Sequence, residues 1–177
     1  MPDIYQGGEL WDFSLVDPDN RRPVDWDARR ALLDEIACAS VADLARGWQD
    51  GREKLFVVRR LLELRRWYPE LFAEGDYQPL EAEGERNSQI CAFARNHSGE
   101  AVVAAVPRLV HQLYRDGGGS AAWGATEVCL PPGREWQNVF TGRKIDGQDR
   151  VRASDLFAEF PVCVLIGGPR ASEICSR

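Results

Sequence analysis

The sequence predicts an α+β fold in which a helical region precedes an antiparallel β-domain. Residues 26–72 carry apolar side chains at helical spacing, whereas residues 75–167 contain short apolar runs separated by turn-forming residues. Helices followed by a run of strands are typical of an α+β fold or of two separate units. We therefore divide the 177 residues into a first domain, 1–74, and a β-domain, 75–177.

Three helices are predicted within the helical region. Asp25 is placed to cap a first helix over residues 26–39, and Ser40 is placed to cap a short second helix. A third helix is predicted over residues 51–68, and Pro69 discourages its continuation. The side chains predicted to form the apolar face of these helices are Leu32, Leu33, Ile36, Leu44, Trp48, Val57, Val58, Leu61, Leu62, Leu64 and Tyr68.

Five strands are predicted in the β-domain. Glu127 and Cys129 alternate with residues suited to burial, which is the period-two pattern of a half-buried strand. Ser154 is a candidate cap for a single helical turn before Pro161. The predicted strands cover residues 89–95, 101–106, 126–130, 136–140 and 162–167.

Composition and charge exclude several classes of partner. The net charge is −6 and no run of Lys or Arg exceeds two residues, so the basic footprint that nucleic-acid binding requires is missing. No apolar run approaches the roughly 20 residues that span a bilayer, and residues 1–4 do not resemble the start of a signal peptide. The five cysteines are widely spaced without a CxxC pair, which favours reduced thiols and a cytoplasmic location.

No catalytic residue, metal ligand or cofactor site is predicted from local motifs. His97 and His111 have no Cys, Asp or second His at ligand spacing. The glycine run 117–119 lacks the Lys-Ser/Thr of a phosphate loop, and no serine or cysteine lies in a nucleophile elbow. The alternating Glu81 and Glu83 are better explained as a solvated strand edge than as a carboxylate site.

The first 25 residues carry a more specific pattern. Residues 2–10 (Pro-Asp-Ile-Tyr-Gln-Gly-Gly-Glu-Leu) resemble the end of the eighth barrel strand in the α-amylase superfamily, and residues 17–25 resemble the loop that follows it. Together the two segments are similar to the maltooligosyltrehalose synthase family in particular. Further matches to that family lie at residues 48–54, 64–66, 69–72, 75–80, 138–142 and 160–162.

The resemblance implies an isomerase that acts on maltooligosaccharides. The family converts the reducing-end α-1,4 linkage to an α,α-1,1 linkage, on a (β/α)8 barrel followed by an antiparallel β-sandwich. Its three catalytic carboxylates belong to barrel strands that precede the segment matched by residues 2–10. Retaining chemistry needs two carboxyl groups about 5–5.5 Å apart, which a barrel supplies from the ends of several strands. We therefore expect a helical remnant of the last barrel unit, then a β-sandwich, and no mutase activity from this chain alone.

The resemblance also implies a substrate-binding role for the N-terminal segment. A tyrosine at the barrel rim can stack on a sugar, while Gln, Asp, Asn, Glu and Arg side chains can bind its hydroxyl groups. The alternative is structural, because Glu9 can brace the loop and residues 17–20 form a strong turn signal before a helix. The predicted substrate-binding residues are Tyr5, Gln6, Glu9, Asp17, Asp19, Asn20, Arg21 and Arg22.

Two alternative functions remain open at the level of sequence. One is a free-standing carbohydrate-binding β-sandwich module, and the other is an oligomerisation scaffold. The helices and the aromatic N-terminal loop carry more apolar surface than a single β-sandwich covers, and large apolar patches rarely stay unpaired. The expected partners are therefore a maltooligosaccharide in the intact enzyme and either the missing barrel portion or a second copy, bound through residues 1–72.

Overall fold

The computed structural model describes residues 7–15, 17–145 and 149–171, and the chain divides into two compact units. We call Met1–Leu62 the N-terminal unit and Glu63–Arg177 the C-terminal unit. The helices are α1 Trp26–Cys38, α2 Val41–Arg46, α3 Arg52–Trp67, α4 Pro69–Ala73, α5 His111–Arg115 and α6 Ala153–Leu156. The strands are β1 Gln78–Leu80, β2 Ala82–Glu83, β3 Ile90–His97, β4 Glu100–Pro107, β5 Glu127–Cys129, β6 Trp136–Asn138, β7 Lys144–Ile145, β8 Arg150–Arg152 and β9 Cys163–Gly167. Helices and antiparallel sheets are thus combined, which confirms the mixed fold class.

The first two helices begin where their capping residues predict. The carboxylate of Asp25 accepts a hydrogen bond from the backbone N–H of Ala28 at 2.9 Å, which fixes the start of α1. The hydroxyl of Ser40 accepts from the N–H of Asp43 at 3.1 Å and fixes the start of α2. None of the described helices is long and apolar enough to cross a membrane.

A small apolar core holds the N-terminal unit together. Ile36 of α1, Leu44 of α2 and Leu55 of α3 are buried, and Leu32 and Leu33 are partly buried against them. Leu32, Leu33, Ile36 and Leu44 are therefore confirmed as core positions, while Leu55 is a core residue that the sequence analysis did not predict.

Two of the predicted core side chains are exposed instead. Trp48 is 52% exposed, because α2 ends at Arg46 and Trp48 starts a separate 3-10 turn. Leu62 is 61% exposed although Leu64 of the same helix is fully buried. Residues two apart point to different sides of a helix, so the apolar stripe is narrower than predicted.

One prediction about a helix end is confirmed and another is wrong. Helix α3 ends at Trp67, before Pro69, as predicted, and Pro69 itself begins α4, where its missing N–H and fixed φ suit the first turn. The helical turn predicted before Pro161 is present as α6, but Ser154 does not cap it. The helix starts at Ala153, and Arg152 occupies the cap position without a side-chain hydrogen bond.

The strands of the C-terminal unit form two antiparallel sheets. The larger sheet has the order β1-β3-β4-β9-β6-β7, and the smaller has the order β2-β5-β8. The five predicted strands correspond to β3, β4, β5, β6 and β9, with ends shifted by one or two residues. In β5, Val128 is fully buried between half-buried Glu127 and Cys129, which confirms the predicted alternation.

Both sheets contribute to one hydrophobic core in the C-terminal unit. The smaller sheet supplies Val128 and Val151, while the larger supplies Val103, Trp136 and Leu165 among others. Helices α5 and α6 and the 3-10 turn Ser120–Trp123 add apolar side chains to the same cluster. The C-terminal unit thus has a core of its own, as an independently folding domain requires.

Candidate functional site

The N-terminal segment is held in place by an ion pair between Glu9 and Arg29. Nε of Arg29 lies 3.2 Å from a carboxylate oxygen of Glu9. The side chain of Arg29 is only 17% exposed and that of Glu9 31%. A second guanidinium nitrogen of Arg29 donates to the carbonyl oxygen of Gly7 at 2.5 Å, and a third donates to that of Asp25 at 3.0 Å. One side chain on the first turns of α1 therefore binds the loop at both ends.

The protonation state of Glu9 depends on these contacts. Partial burial raises the pKa of Glu9, but hydrogen bonds from the backbone N–H groups of Glu9 and Gly7 and from Arg29 outweigh it. The pKa of the carboxyl group is therefore lowered overall, and Glu9 stays ionised at neutral pH. Its oxygens are occupied by Gly7 and Arg29, which favours the bracing role over direct sugar contact.

Gly7 is required by the local geometry of the same loop. Its φ of +88° lies in the left-handed region that L side chains rarely adopt. A Cβ added at Gly7 would lie 2.4 Å from a methyl carbon of Val24, so an alanine would displace the segment leading into α1. The glycine thus allows the loop to pass close to Val24.

The other predicted site residues form a local charged turn on the surface. Asp17 forms an ion pair with Arg21, and Asp19 lies 3.7 Å from Arg22. All four side chains are more than half exposed, so such pairs contribute little to stability and leave polar groups available to a ligand. Asn20 lies in the 3-10 turn Asp19–Arg21.

The structure therefore separates the predicted site residues into two groups. Glu9 contacts Arg29 and Gly7, whereas the charged turn pairs within itself. Tyr5 and Gln6, the remaining two predictions, lie outside the described residues.

Trp11 anchors the N-terminal loop to the helices of the N-terminal unit. Its indole N–H donates to the carbonyl oxygen of Trp48 at 2.6 Å, and the ammonium group of Lys54 lies 5.4 Å from its ring centroid. The same ammonium group donates to the carbonyl oxygen of Leu10 at 2.9 Å. The ring is still 41% exposed, but the hydrogen bond at its N–H group and the contact with Lys54 hold it against the protein.

Arg29 and Lys54 are the residues whose roles the sequence did not reveal. Each ties the N-terminal loop to a helix that is 20 or 44 residues away in sequence. Neither contact has a local sequence signal, because side-chain contacts at that separation depend on how the helices pack. Their roles become visible from their contacts: Arg29 binds Glu9 and two carbonyl oxygens, and Lys54 binds the carbonyl oxygen of Leu10 and lies over the ring of Trp11.

Removal of the Arg29 side-chain charge is expected to loosen this loop. Arg29→Gln leaves the half-buried carboxylate of Glu9 without its cation, and we expect it to lower the free energy of unfolding by about 1–3 kcal/mol at pH 7. Because the folded-state pKa of Glu9 is lowered, this contribution exists above the unfolded-state pKa and is lost as the pH falls through the folded-state pKa. Urea unfolding followed by tryptophan fluorescence at several pH values measures the difference.

Arg30→Gln is the matched control for this measurement. Arg30 is the next residue on α1 and pairs with Asp27, but its side chain is 78% exposed. We expect a change within about 0.5 kcal/mol at every pH. Equal effects of the two substitutions would contradict the role assigned to Arg29.

Comparisons with known proteins identify the family. No family model matches the chain. Proteins from two strains of Mycobacterium tuberculosis, each described as a maltooligosyl trehalose synthase, are 38% identical over 166 residues, which is 94% of this chain and 18% of theirs. The structure of a mutant of maltooligosyltrehalose synthase from Arthrobacter ramosus is similar with a TM-score of 0.72 and 39% identity, over 94% of this chain and 20% of that one.

The comparisons thus relate the chain to the maltooligosyltrehalose synthases by both sequence and structure. The chain is homologous to a C-terminal portion of the maltooligosyltrehalose synthases, and the resemblance inferred from sequence is confirmed. It spans about a fifth of the length of these relatives.

Proposed function

We propose that the chain acts as the C-terminal part of a maltooligosyltrehalose synthase. In this role it supports an enzyme that isomerises the reducing-end α-1,4 linkage of a maltooligosaccharide to α,α-1,1. Residues 1–74 would complete the last unit of the barrel, and residues 75–177 would form the C-terminal β-sandwich. The observation that carries the proposal is 38–39% identity to maltooligosyltrehalose synthases over 94% of the chain.

The exposed apolar side chains of the N-terminal unit support the proposal that a partner covers this surface. Among the described residues of this unit, six large apolar side chains are at least 41% exposed, and large exposed apolar patches mark interaction sites. We propose that the rest of the enzyme covers them, and that the isolated chain covers them by self-association. These side chains are Trp11, Phe13, Leu15, Trp26, Trp48 and Leu62.

We propose that the charged turn provides the hydrogen bonds that this chain makes to the substrate. Asp17, Asp19, Arg21 and Arg22 are exposed and carry both donors and acceptors, which suits hydrogen bonding to sugar hydroxyls. Tyr5, Gln6 and Asn20 are proposed to join them on the basis of the family resemblance. Glu9 has the supporting role of holding this segment through Arg29. No catalytic carboxylate is assigned to the chain, and a cytoplasmic location is proposed.

A chimeric enzyme tests the proposal directly. We would replace the homologous region of the M. tuberculosis relative with this chain and incubate the chimera with maltopentaose. We expect the chimera to form a non-reducing product and the isolated chain to form none, because retaining chemistry needs paired carboxylates on several strands. Turnover by the isolated chain above a no-protein control would contradict the proposal, as would a folded chimera without activity.

The same chimera tests the charged turn. Asp17→Asn and Arg21→Gln together remove charged hydrogen bonds to substrate, so we expect KM to rise roughly tenfold with kcat less affected. Arg30→Gln, an exposed charge on α1, is expected to leave both constants unchanged. An unchanged KM in the double variant would remove the turn from the substrate site.

A free-standing carbohydrate-binding module is the second candidate, and one observation favours it. Tyr77 is 64% exposed, and its ring centroid lies 5.3 Å from that of Phe93 on β3, at an interplanar angle of 30°. Exposed aromatic rings of this kind can stack on sugars. Saturable binding of maltopentaose to the isolated chain, lost in Tyr77→Ala but not in Tyr114→Ala, would support this candidate.

A further inference from the structure

A cleft in the C-terminal unit lies where the edge strands of the two sheets come together. Strand β7 is the last strand of the larger sheet and β8 is the last strand of the smaller. Both strands line a cavity of about 370 Å³, together with residues from β5 and α6. This volume lies within the range of small-molecule sites.

The charged lining of the cleft is mostly basic. Among the described residues that line the cleft, four side chains are cationic and two are carboxylates, on a chain whose net charge is −6. The cations belong to Arg143, Lys144, Arg150 and Arg152, and the carboxylates to Glu127 and Asp155.

Two of the four cations are held by other groups, and two are not. Arg143 donates to the carbonyl oxygen of Asp155 at 3.4 Å and lies 3.9 Å from Glu159. Arg150 forms an ion pair with Glu83. Lys144 and Arg152 form no ion pair with another residue of the described part of the chain, and both are exposed. Their charges are therefore available to a ligand from solution.

We propose that this cleft binds the phosphate group of a small metabolite. Arginine presents its N–H groups in a planar fork that matches the oxygens of a phosphate, and lysine adds a compact charge. A ligand in the cleft would be within reach of both unpaired cations, Lys144 on β7 and Arg152 on β8. This inference goes beyond the proposed function and does not depend on it.

Charged side chains on edge strands also have a simpler explanation, which predicts a different result. Lys and Arg at a sheet edge prevent edge-to-edge pairing with other molecules. If they serve that purpose alone, the soluble chain binds no phosphate at all. The cleft geometry favours binding because cations from both sheets line one cavity.

Calorimetric titration of the full chain at low ionic strength tests the proposal. We would titrate inorganic phosphate and, separately, glucose 6-phosphate, and we expect saturable binding with one site per chain. Tighter binding of the sugar phosphate would indicate a phosphorylated sugar as the ligand class, and equal affinities would indicate recognition of the phosphate group alone. Absence of saturable binding for both would overturn the proposal.

Matched variants separate this site from general electrostatic attraction. Lys144→Gln with Arg152→Gln should weaken binding more than about tenfold, because each close charge contributes roughly a fivefold factor. Arg108→Gln with Arg115→Gln removes two exposed charges of the same unit outside the cleft and should change affinity less than about twofold. Equal weakening by both pairs would overturn the proposal.

A substitution that is expected to strengthen phosphate binding excludes misfolding as the cause of a changed affinity. Asp155→Asn removes a negative charge from the cleft wall and should tighten phosphate binding by about fivefold. Partial unfolding cannot produce a gain of this kind. Unchanged or weaker binding in a folded Asp155→Asn variant would contradict the proposed position of the phosphate.

Discussion

Replacement of Trp136 by alanine is expected to destabilise the C-terminal unit by about 3–5 kcal/mol. Trp136 lies on β6, is 1% exposed and belongs to the core that both sheets share. Its ring packs closely over the backbone of Gly167, where an added Cβ would lie 2.9 Å from a ring carbon, and the guanidinium carbon of Arg134 lies 5.6 Å from its centroid. An alanine leaves a large cavity between β6 and β9 that the tightly packed backbone cannot fill.

Tyr114→Ala is the control for this substitution. Tyr114 is another large aromatic residue of the same unit, but it is 74% exposed, so its loss should change the free energy of unfolding by less than about 0.5 kcal/mol. Urea unfolding followed by circular dichroism measures both variants without depending on the fluorescence of Trp136. A loss below about 1 kcal/mol for Trp136→Ala would mean that the ring is not a core residue.

Asn138→Ala is expected to cost about 2–4 kcal/mol, because it leaves buried backbone donors without an acceptor. The side-chain oxygen of Asn138 accepts from the N–H groups of Phe140 at 2.9 Å and Thr141 at 3.2 Å. Its amide nitrogen donates to the sulfur of Cys163 at 3.4 Å, and burial raises the pKa of that thiol to about 12, which keeps it neutral. Asn138 thus joins the turn after β6 to β9.

Asn87→Ala provides a matched control for Asn138→Ala. The side-chain oxygen of Asn87 also accepts from a backbone N–H, that of Ser88 at 2.7 Å, but Asn87 is exposed. Water can replace this hydrogen bond, so the expected loss is below about 0.5 kcal/mol. Thermal unfolding of both variants gives the comparison, and similar melting temperatures would show that burial at Asn138 is not decisive.

The elements that the sequence predicted correctly are those with a strong local signal. Asp25 and Ser40 cap their helices through hydrogen bonds to residues three positions ahead, so the information lies within a few residues. Strand β5 shows its alternating burial within five residues. The turn at Asn138 was also visible as part of a family match, although the sequence did not reveal the two backbone donors that it satisfies.

The elements that the sequence missed depend on partners far away in the chain. Strands β1, β2, β7 and β8 have only two or three residues, and each lies at the edge of its sheet, where it forms by pairing with a single neighbouring strand. The charges that line the cleft between β7 and β8 come from β5, β7, β8, α6 and Arg143 just before β7, which no local motif connects.

The candidate substrate site was only partly predictable for a similar reason. The sequence identified Glu9 but not Arg29, since nothing in the intervening 20 residues shows that the two side chains meet. The charged turn was identified through its resemblance to the family loop, and the pairing of Asp17 with Arg21 joins residues four apart in sequence.

The position of β9 in the larger sheet has a consequence for biosynthesis. This strand lies between β4 and β6, and Val103 on β4 is paired with Leu165 on β9, about sixty residues further along the chain. While the polypeptide is still on the ribosome, the hairpin of β3 and β4 can form early, but one side of β4 stays open until β9 has emerged. Nascent chains released before Cys163 would present that side to one another, which makes premature termination a route to aggregation.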